Sequence, residues 1–305
     1  MHFQDMFIKH PATFSFEFFP PRGNAGSDDL YLAINELVPL RPTFISVTYG
    51  AGGSTSDLTH ELVLRIKREG RLDPMPHLTA VLHDRTRIRS MLEGYAACGI
   101  SNVLALRGDP PRGMEISESL DGDFRYAAEL VSFIRSFNDE GVHPDPRGFG
   151  VAVAGFPEGH PQTPNRLLEM DYLKAKVDAG ADCIITQMFF DNRDFYDFRH
   201  RCELAGINVP IIAGIMPILS INGMRRMAEL AAGARFPAPL LRAIRRTGGE
   251  PDAVRRMGIH WATEQARDLL DNDVDGIHFY TLNKSTATRE IYRTLGVSDS
   301  RGMVV

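Results

Sequence analysis

A single acid, Glu17, stands inside the phenylalanine-rich stretch TFSFEFFPPRG of residues 13–23. Alternation along a β-strand puts the even-numbered phenylalanines on one face and Glu17, with Ser15, on the other. Two prolines follow and end the strand. Burial among apolar side chains disfavours the charged form of a carboxyl group, which suits a general acid. A surface ion pair between Glu17 and Arg22 is the alternative interpretation.

Two further strand ends carry polar residues. The run LALRGDPP places Arg107 and Asp109 on either side of Gly108, where the missing side chain lets a ligand approach the backbone. The alternative is a local ion pair between Arg107 and Asp109. Gln187 lies on the inward face of another apolar strand, where its amide must find a partner because unpaired burial is costly. The partner of the Gln187 amide is either the edge of a heterocyclic ring in a ligand or the backbone of a neighbouring strand.

Several classes of site are not supported by the residue spacing. The chain has no P-loop, G-x-S-x-G or HExxH motif. His77 opens one predicted strand and His160 follows another, but no two histidines have metal-ligand spacing, so no metal site is expected. Cys98, Cys183 and Cys202 form no CxxC pair, which indicates a reducing compartment and a cytoplasmic protein.

Composition narrows the class of protein further. The 305 residues are 43% hydrophobic and 24% charged, with a net charge of −5 and no basic block. This argues against nucleic acid or an anionic membrane as the main partner. No apolar run reaches the roughly 20 residues of a membrane-spanning helix, and the first residues lack a signal-peptide layout.

Eight short apolar or β-branched runs predict strands. They cover residues 13–19, 44–49, 77–82, 102–108, 149–155, 183–190, 209–216 and 276–283. The intervening segments carry apolar residues at steps of three and four, which predicts amphipathic helices. These helices are expected at 30–40, 58–70, 85–99, 126–139, 167–180, 195–206, 223–233 and 285–295, with two more within 234–275.

Strands that alternate with helices predict a parallel sheet with right-handed crossovers. Gly99, Gly180 and Gly206 recur where each helix would need a left-handed final residue. Eight such units predict a single (β/α)8 TIM barrel with an extra helical segment before the last strand. We expect one catalytic domain over 1–305, with a core of about 13–296 and short tails. A doubly wound sheet is the alternative, but its phosphate-binding glycine fingerprint is missing.

Six motifs occur in order, each at or beside a predicted strand. They are FSFEFFPPR, FISVTYGAGG, PHLT, LALRGDPP, KVDAGADCIITQMFFD and IHFYTLN. Together they resemble the flavin-dependent methylenetetrahydrofolate reductase family of bacteria, over residues of about 13 to 296. The resemblance implies the catalytic domain only, without the regulatory C-terminal domain of eukaryotic relatives.

The resemblance implies FAD as cofactor and NADH or NADPH as co-substrate. Such an enzyme reduces 5,10-methylenetetrahydrofolate to 5-methyltetrahydrofolate by ping-pong hydride transfer through flavin N5, and so supplies methionine synthesis. The resemblance also implies a homo-oligomer, either a dimer or a tetramer. Two alternatives stay open: a flavin-free pterin-binding methyltransferase barrel, and a reductase that receives electrons from a partner protein.

The resemblance also assigns roles to residues. Glu17 matches the acid that opens the five-membered ring of the folate, and Asp109 matches the aspartate that binds the pterin and stabilises the cationic iminium. Gln187 matches a contact to folate and nicotinamide, and Lys284 a contact to the benzoyl-glutamate side of the folate. The positions matching FAD contacts are Thr48, Tyr49, Ala51, His77, Arg107, Gly108, Asp109, Tyr126, Ala127, His160, Glu169 and Lys176.

Some positions depart from the family pattern. Glu169 stands where relatives usually have Asp for the FAD ribose, and Tyr172 where the residue type varies. Gly223 and Met227 stand where some relatives have a polar folate ligand and a stacking Phe. The folate and nicotinamide contacts of that loop, and the choice between NADH and NADPH, therefore stay open.

Overall fold

A computed structural model of the chain describes residues 1–21, 24–49, 56–109, 122–231 and 234–303. Eight strands form a closed barrel in chain order, each parallel to its neighbours. The strands are β1 (Thr13–Phe18), β2 (Phe44–Val47), β3 (Pro74–Thr79), β4 (Asn102–Leu106), β5 (Gly150–Gly155), β6 (Cys183–Thr186), β7 (Ile211–Ile215) and β8 (Gly276–Tyr280). The closed barrel confirms the predicted TIM fold and rules out the doubly wound sheet.

Helices surround the barrel and connect its strands. They are α1 (Phe3–Lys9), α2 (Asn24–Leu37), α3 (Ser56–Glu69), α4 (Arg85–Ala97), α5 (Ala127–Asp139), α6 (Arg166–Asp178), α7 (Asn192–Leu204), α8 (Ile221–Leu230), α9 (Ala238–Arg246), α10 (Pro251–Asp271) and α11 (Thr286–Thr294). Short 3-10 helices occupy Val38–Leu40 and Ser300–Met303. Because α9 and α10 both precede β8, the predicted extra helical segment is confirmed. None of the described helices is both long and apolar enough to cross a membrane.

Capping residues fix where several helices begin. The side chains of Asp84, Asn165, Asp191 and Ser220 accept hydrogen bonds from backbone N–H groups in the first turns of α4, α6, α7 and α8. Such caps satisfy donors that the helix itself leaves unpaired. Each cap lies in the loop that follows a strand, so these helices start at the carboxyl-terminal mouth of the barrel.

Glycines end three of the helices as predicted. Gly99, Gly180 and Gly206 have φ angles of +67°, +112° and +71° just after α4, α6 and α7. A side chain would be strained in this left-handed conformation, so glycine is the favoured residue there. The recurring glycine in the sequence therefore marked helix ends correctly.

The third strand begins earlier than the sequence predicts. It starts at Pro74 and not at His77, so His77 lies within the strand and does not open it. Prolines at 74 and 76 lack the N–H that a sheet ladder uses, which argues against a strand when only the sequence is read. The backbone pairs there nevertheless, with Pro74 beside Ile45 of β2.

Helix α1 closes the amino-terminal end of the barrel, although the sequence predicts residues 3–9 as part of a short tail. Phe3 is fully buried and meets the ring of Phe44 edge-on, with 5.8 Å between centroids. The N–H of Phe3 donates to Oδ1 of Asn102 at 2.9 Å. A Cβ on Gly150 would lie 2.3 Å from that oxygen, so the glycine makes room for the helix.

The inside of the barrel changes character from one end to the other. Toward the amino-terminal end it is apolar, and the inward residues there are Phe44, Met75, Leu104, Ala152, Cys183, Ile185 and Ile212. Toward the mouth, the buried inward side chains include Glu17, His77 and His278. The acid and imidazole groups that point inward from the strands therefore lie toward the mouth, where an entering ligand can reach them.

Replacing Phe3 by alanine should destabilise the fold by about 3–5 kcal/mol, because the truncation leaves a cavity in the end of the barrel. The measurement is the free energy of unfolding in urea. Ile8→Ala is the matched control, since Ile8 lies on the same helix but is 84% exposed. Equal stability of the two variants would contradict a closing role for α1.

Candidate active site

Glu17 lies on β1 with its side chain buried in the mouth. Its Oε2 lies 3.6 Å from Nε2 of His77 and 3.8 Å from Nε2 of His278. Its own carbonyl accepts a 2.5 Å hydrogen bond from Oγ1 of Thr281. The inward orientation predicted from strand alternation is confirmed. The alternative partner, Arg22, lies outside the described residues.

His278 is the partner of Glu17 that the sequence reading missed. Its Nδ1 lies 2.7 Å from Oγ of Ser15, and its Nε2 lies 3.3 Å from Oγ of Ser46. The ring stacks on Phe44 at 6.3 Å between centroids. Alternation from Gly276 along IHFYTLN would have placed His278 inside the barrel, so the signal was available.

His77 is held in its neutral form next to this acid. Burial lowers its pKa from 6.5 to about 4, against the opposing effect of Glu17. Its Nε2 is buried and makes no hydrogen bond within the described protein, and the same holds for Oγ1 of Thr79 two residues on. Buried polar groups normally have partners. These two atoms are therefore available to a ligand in the mouth.

At the end of β4, Arg107 and Asp109 do not form the local ion pair that was the alternative interpretation. Nη2 of Arg107 donates to Oε1 of Gln162 at 2.6 Å, and no ion pair joins Arg107 to Asp109 in the part of the chain described. Gln162 in turn donates its N–H to Nδ1 of His160 at 3.1 Å. Asp109 stays exposed. A Cβ on Gly108, where φ is +85°, would lie 2.6 Å from Val81, so this turn requires glycine.

Glu169 and Lys176 on α6 complete a second cluster around His160. Oε1 of Glu169 accepts the N–H of His160 at 3.0 Å, while the buried Oε2 makes no hydrogen bond within the described residues. Nζ of Lys176 donates to the carbonyl of Ala154 at 2.5 Å, and burial lowers the pKa of Lys176 to about 8. Burial lowers the pKa of His160, and the positive charges of Arg107 and Lys176 lower it further. The cluster can receive both phosphate and hydroxyl groups.

Aromatic side chains flank this cluster. Tyr126, 48% exposed, precedes α5 and stacks on Tyr172 of α6 with 5.3 Å between centroids. Ala127 is the first residue of α5. Thr48 and Tyr49 follow β2, and the Tyr49 hydroxyl lies 2.7 Å from Nε2 of His83. Ala51, also predicted to contact the cofactor, lies outside the described residues.

Gln187 follows β6 and is half-buried. Its N–H donates to the carbonyl of Gly155 at 2.8 Å, and its Oε1 accepts the N–H of Met188 at 2.9 Å. The side-chain oxygen is therefore held by its own loop, and not by the backbone of a neighbouring strand.

Gly223 donates its N–H to Oγ of Ser220 in the first turn of α8. Met227 is buried in an apolar cluster with Met188, so neither residue supplies a polar contact from its side chain.

A clamp joins the mouth ends of the first and last strands. The side chain of Asn283 accepts the N–H of Phe19 at 2.8 Å and donates to its carbonyl at 2.9 Å. Leu282 and Asn283 both have left-handed φ angles, of +51° and +57°. The strained turn holds Lys284 exposed at the rim. Its side chain makes no hydrogen bond or ion pair with the described residues, which leaves it available to a ligand.

No group of three or more His, Cys, Asp or Glu side chains is placed to hold a metal ion within the described ranges. The polar side chains of the mouth instead form two groups. One surrounds Glu17, and the other joins Arg107, His160, Glu169 and Lys176. The first can exchange a proton with a ligand, and the second can bind an anion.

The chain is similar to known proteins over nearly its whole length. Residues 2–296 match the family described as methylenetetrahydrofolate reductase. "Methylenetetrahydrofolate reductase (NADH) 1" of Arabidopsis thaliana is 41% identical over 94% of this chain and 49% of its own. "5,10-Methylenetetrahydrofolate reductase" of Escherichia coli is 35% identical over 95% of this chain and 93% of its own. The chain thus spans about half the length of the plant relative.

Among solved structures, a Clostridium thermocellum protein that binds two copies of 5-methyl-5,6,7,8-tetrahydrofolic acid has a TM-score of 0.63. It is 12% identical, and the match covers 96% of this chain and 98% of the other. At that identity the likeness shows a shared fold only.

Lowering the pH should weaken the fold through His77. In the unfolded chain, His77 takes up a proton near pH 6.5, whereas the buried imidazole has a pKa of about 4. The folded state therefore loses stability as the pH falls from 6.5 to 4. The slope from one such group is at most about 1.4 kcal/mol per pH unit. Urea unfolding between these pH values should give a shallower slope for His77→Gln than for the unmodified chain. The exposed His200 supplies the control variant His200→Gln, and an unchanged slope in His77→Gln would contradict the assignment.

Proposed function

The chain belongs to the methylenetetrahydrofolate reductase family, and we propose that it uses FAD to reduce 5,10-methylenetetrahydrofolate to 5-methyltetrahydrofolate with NADH or NADPH. One observation carries the proposal: a buried acid, Glu17, lies at the mouth within 4 Å of two imidazoles. Family membership further supports a cytoplasmic homo-oligomer whose product supplies methionine synthesis.

The residues of the second cluster fit FAD. Glu169 presents a buried oxygen without a hydrogen-bond partner in the described protein, which suits a ribose hydroxyl. Arg107, His160 and Lys176 would bind the pyrophosphate or a flavin carbonyl, since they bring donors and positive charge to one place. The Tyr126 ring offers a flat apolar surface beside them. When bound, the flavin supplies hydride transfer from the nicotinamide and then to the folate carbon.

Glu17 supplies the proton of the folate half-reaction. The proton passes from its carboxyl group to a nitrogen of the five-membered ring, and the carbon–nitrogen bond then breaks to leave a cationic iminium on the folate. His278, held by Ser15 and Ser46, lies beside the carboxyl group, with its Nε2 3.8 Å from Oε2. His77 stays neutral and therefore does not oppose the new positive charge.

Three other residues orient and stabilise the folate. The Asp109 carboxylate would stabilise the cationic iminium by Coulomb attraction. To bind the edge of the pterin, the side-chain oxygen of Gln187 would leave the N–H of Met188 and form a hydrogen bond with the ring. Lys284 would meet the benzoyl-glutamate end as a point charge, because an ammonium cannot form the two-pronged contact of arginine.

Anaerobic spectroscopy of the two half-reactions tests the proposal. We expect a yellow protein that NADH or NADPH bleaches and that methylenetetrahydrofolate re-oxidises. A yellow protein that neither nicotinamide bleaches would indicate electrons from a partner protein. A colourless protein that takes up no added FAD would contradict the proposal and favour the flavin-free methyltransferase.

Glu17→Gln should separate the two half-reactions. Folate reduction should fall by about 100-fold or more, because glutamine cannot donate the proton, while flavin reduction by the nicotinamide should persist. Stopped-flow absorbance of each half-reaction measures the effect. Glu61→Gln, an exposed position on α3, is the control. Equal losses in both half-reactions would rule out the proton-donor role.

A further inference from the structure

A buried acid, Glu158, lies in the loop after β5, within the sequence GFPEGHP of residues 155–161. Its side chain is only 5% exposed. Glutamate is rarely buried to this degree unless its carboxyl group is paired with other groups. The hydrogen bonds of its two carboxyl oxygens therefore indicate what Glu158 does.

The two carboxyl oxygens of Glu158 have different surroundings. Oε1 accepts two hydrogen bonds from Arg235, one from the backbone N–H at 2.7 Å and one from Nε at 3.2 Å. Oε2 is buried and accepts no hydrogen bond from the residues that the structure describes. Burial raises the pKa of Glu158, whereas the hydrogen bonds from Arg235 lower it. Leaving a buried carboxylate oxygen without a partner is costly, so Oε2 requires a donor.

Glu158 and Gln187 line the same small cavity at the mouth. Gly155 is the register partner of Thr186 where β5 and β6 end, so the loops that carry the two side chains leave the barrel side by side. The N–H of Gln187 donates to the carbonyl of Gly155 at 2.8 Å, which joins the two loops. The volume of the cavity is about 10 Å³, which is room for one water molecule.

Gln187 supplies the side-chain donor at this cavity. Apart from Glu158 and Gln187, the lining residues are phenylalanine, proline, glycine, methionine and alanine, whose side chains have no N–H or O–H group. Oε1 of Gln187 accepts the N–H of Met188, but its side-chain NH₂ donates no hydrogen bond to a described residue. A water molecule that accepts from this NH₂ and donates to Oε2 of Glu158 would give both groups a partner.

We propose that Glu158 is a positioning residue for Gln187: it holds the side-chain NH₂ of Gln187 through one water molecule, so that the amide carbonyl faces the folate. This inference rests on the proposed function. An amide without an anchor can present either its oxygen or its NH₂, since the two ends have nearly the same shape. With the NH₂ held, the oxygen that leaves Met188 accepts from the N–H groups on the edge of the pterin.

Anchoring of the connection between α8 and α9 is the alternative role for Glu158. Arg235 belongs to this connection and also donates to Asp194 in the first turn of α7. Anchoring needs only Oε1 of Glu158 and leaves both Oε2 and the NH₂ of Gln187 without a purpose. Asp194 separates the two roles, because it shares Arg235 with Glu158 but does not line the cavity.

The test measures, by stopped-flow absorbance, the methylenetetrahydrofolate concentration that gives half of the maximal rate of flavin re-oxidation. Since Oε1 must still accept from Arg235, Glu158→Gln points an NH₂ into the cavity, toward the NH₂ of Gln187. We expect this half-saturating concentration to rise about tenfold, while the maximal rate changes by less than about twofold. Glu158→Asp keeps a carboxylate at the cavity, so its effect should be smaller, about threefold.

A double-mutant cycle shows whether Glu158 acts through Gln187. In the background of Gln187→Ala, Glu158→Gln should cause no further rise in the half-saturating concentration, because the group that it positions is gone. A further rise of about tenfold in that background would mean that Glu158 acts independently of Gln187, and would overturn the inference. If Glu158→Gln fails to fold or to bind FAD, the same cycle with Glu158→Asp decides the question by the same criterion.

Asp194→Asn is the matched control, since it removes the charge of the other acid bonded to Arg235. It should leave the half-saturating concentration unchanged with either residue at position 187. A rise equal to that of Glu158→Gln would indicate anchoring of the α8–α9 connection and would overturn the inference alone. An unmodified chain whose reduced flavin is not re-oxidised by methylenetetrahydrofolate would overturn the proposed function, and the inference with it.

Discussion

The pairing of the first strand with the last is the contact on which the site depends. Parallel register sets Ser15 opposite His278 and Glu17 opposite Tyr280. The acid and its imidazole partner come from residues more than 250 positions apart in sequence, and only closure of the barrel brings them together. Closure also removes both free sheet edges, whose unpaired backbone groups would otherwise invite association. One set of backbone bonds thus supports both the fold and the chemistry.

The polarity of the interior follows from where ligands can reach. At the amino-terminal end, the interior is largely apolar and closed by Phe3 of α1, and the buried amide of Asn102 there bonds to the backbone of Phe3. At the mouth, His77, Thr79 and Glu169 each have a buried polar atom without a hydrogen bond in the described protein, and a ligand there could supply one. Three such atoms at one mouth support this end of the barrel as the place where a ligand binds.

Local patterns in the sequence predicted most of the fold. Alternation in TFSFEFF placed Glu17 inward, and the glycines at 99, 180 and 206 marked helix ends, since both depend on neighbouring residues only. Contacts between particular residues far apart in the sequence were not predicted. The seven-residue α1 is held by Asn102 and Phe44, and Arg107 finds Gln162 in another loop. His278 acquires its importance from Ser15, at the other end of the chain.

The Asn283 clamp has a consequence for synthesis of the protein. Translation delivers Glu17 early, but the clamp and His278 emerge from the ribosome only after more than 250 further residues. Until then, the apolar FEFF segment has no strand on one side. A nascent chain must therefore keep this segment from aggregating until the last strand has been made, a task for which chaperones exist. The candidate site is completed by the last strand, so a chain that stops before it lacks His278 and the clamp.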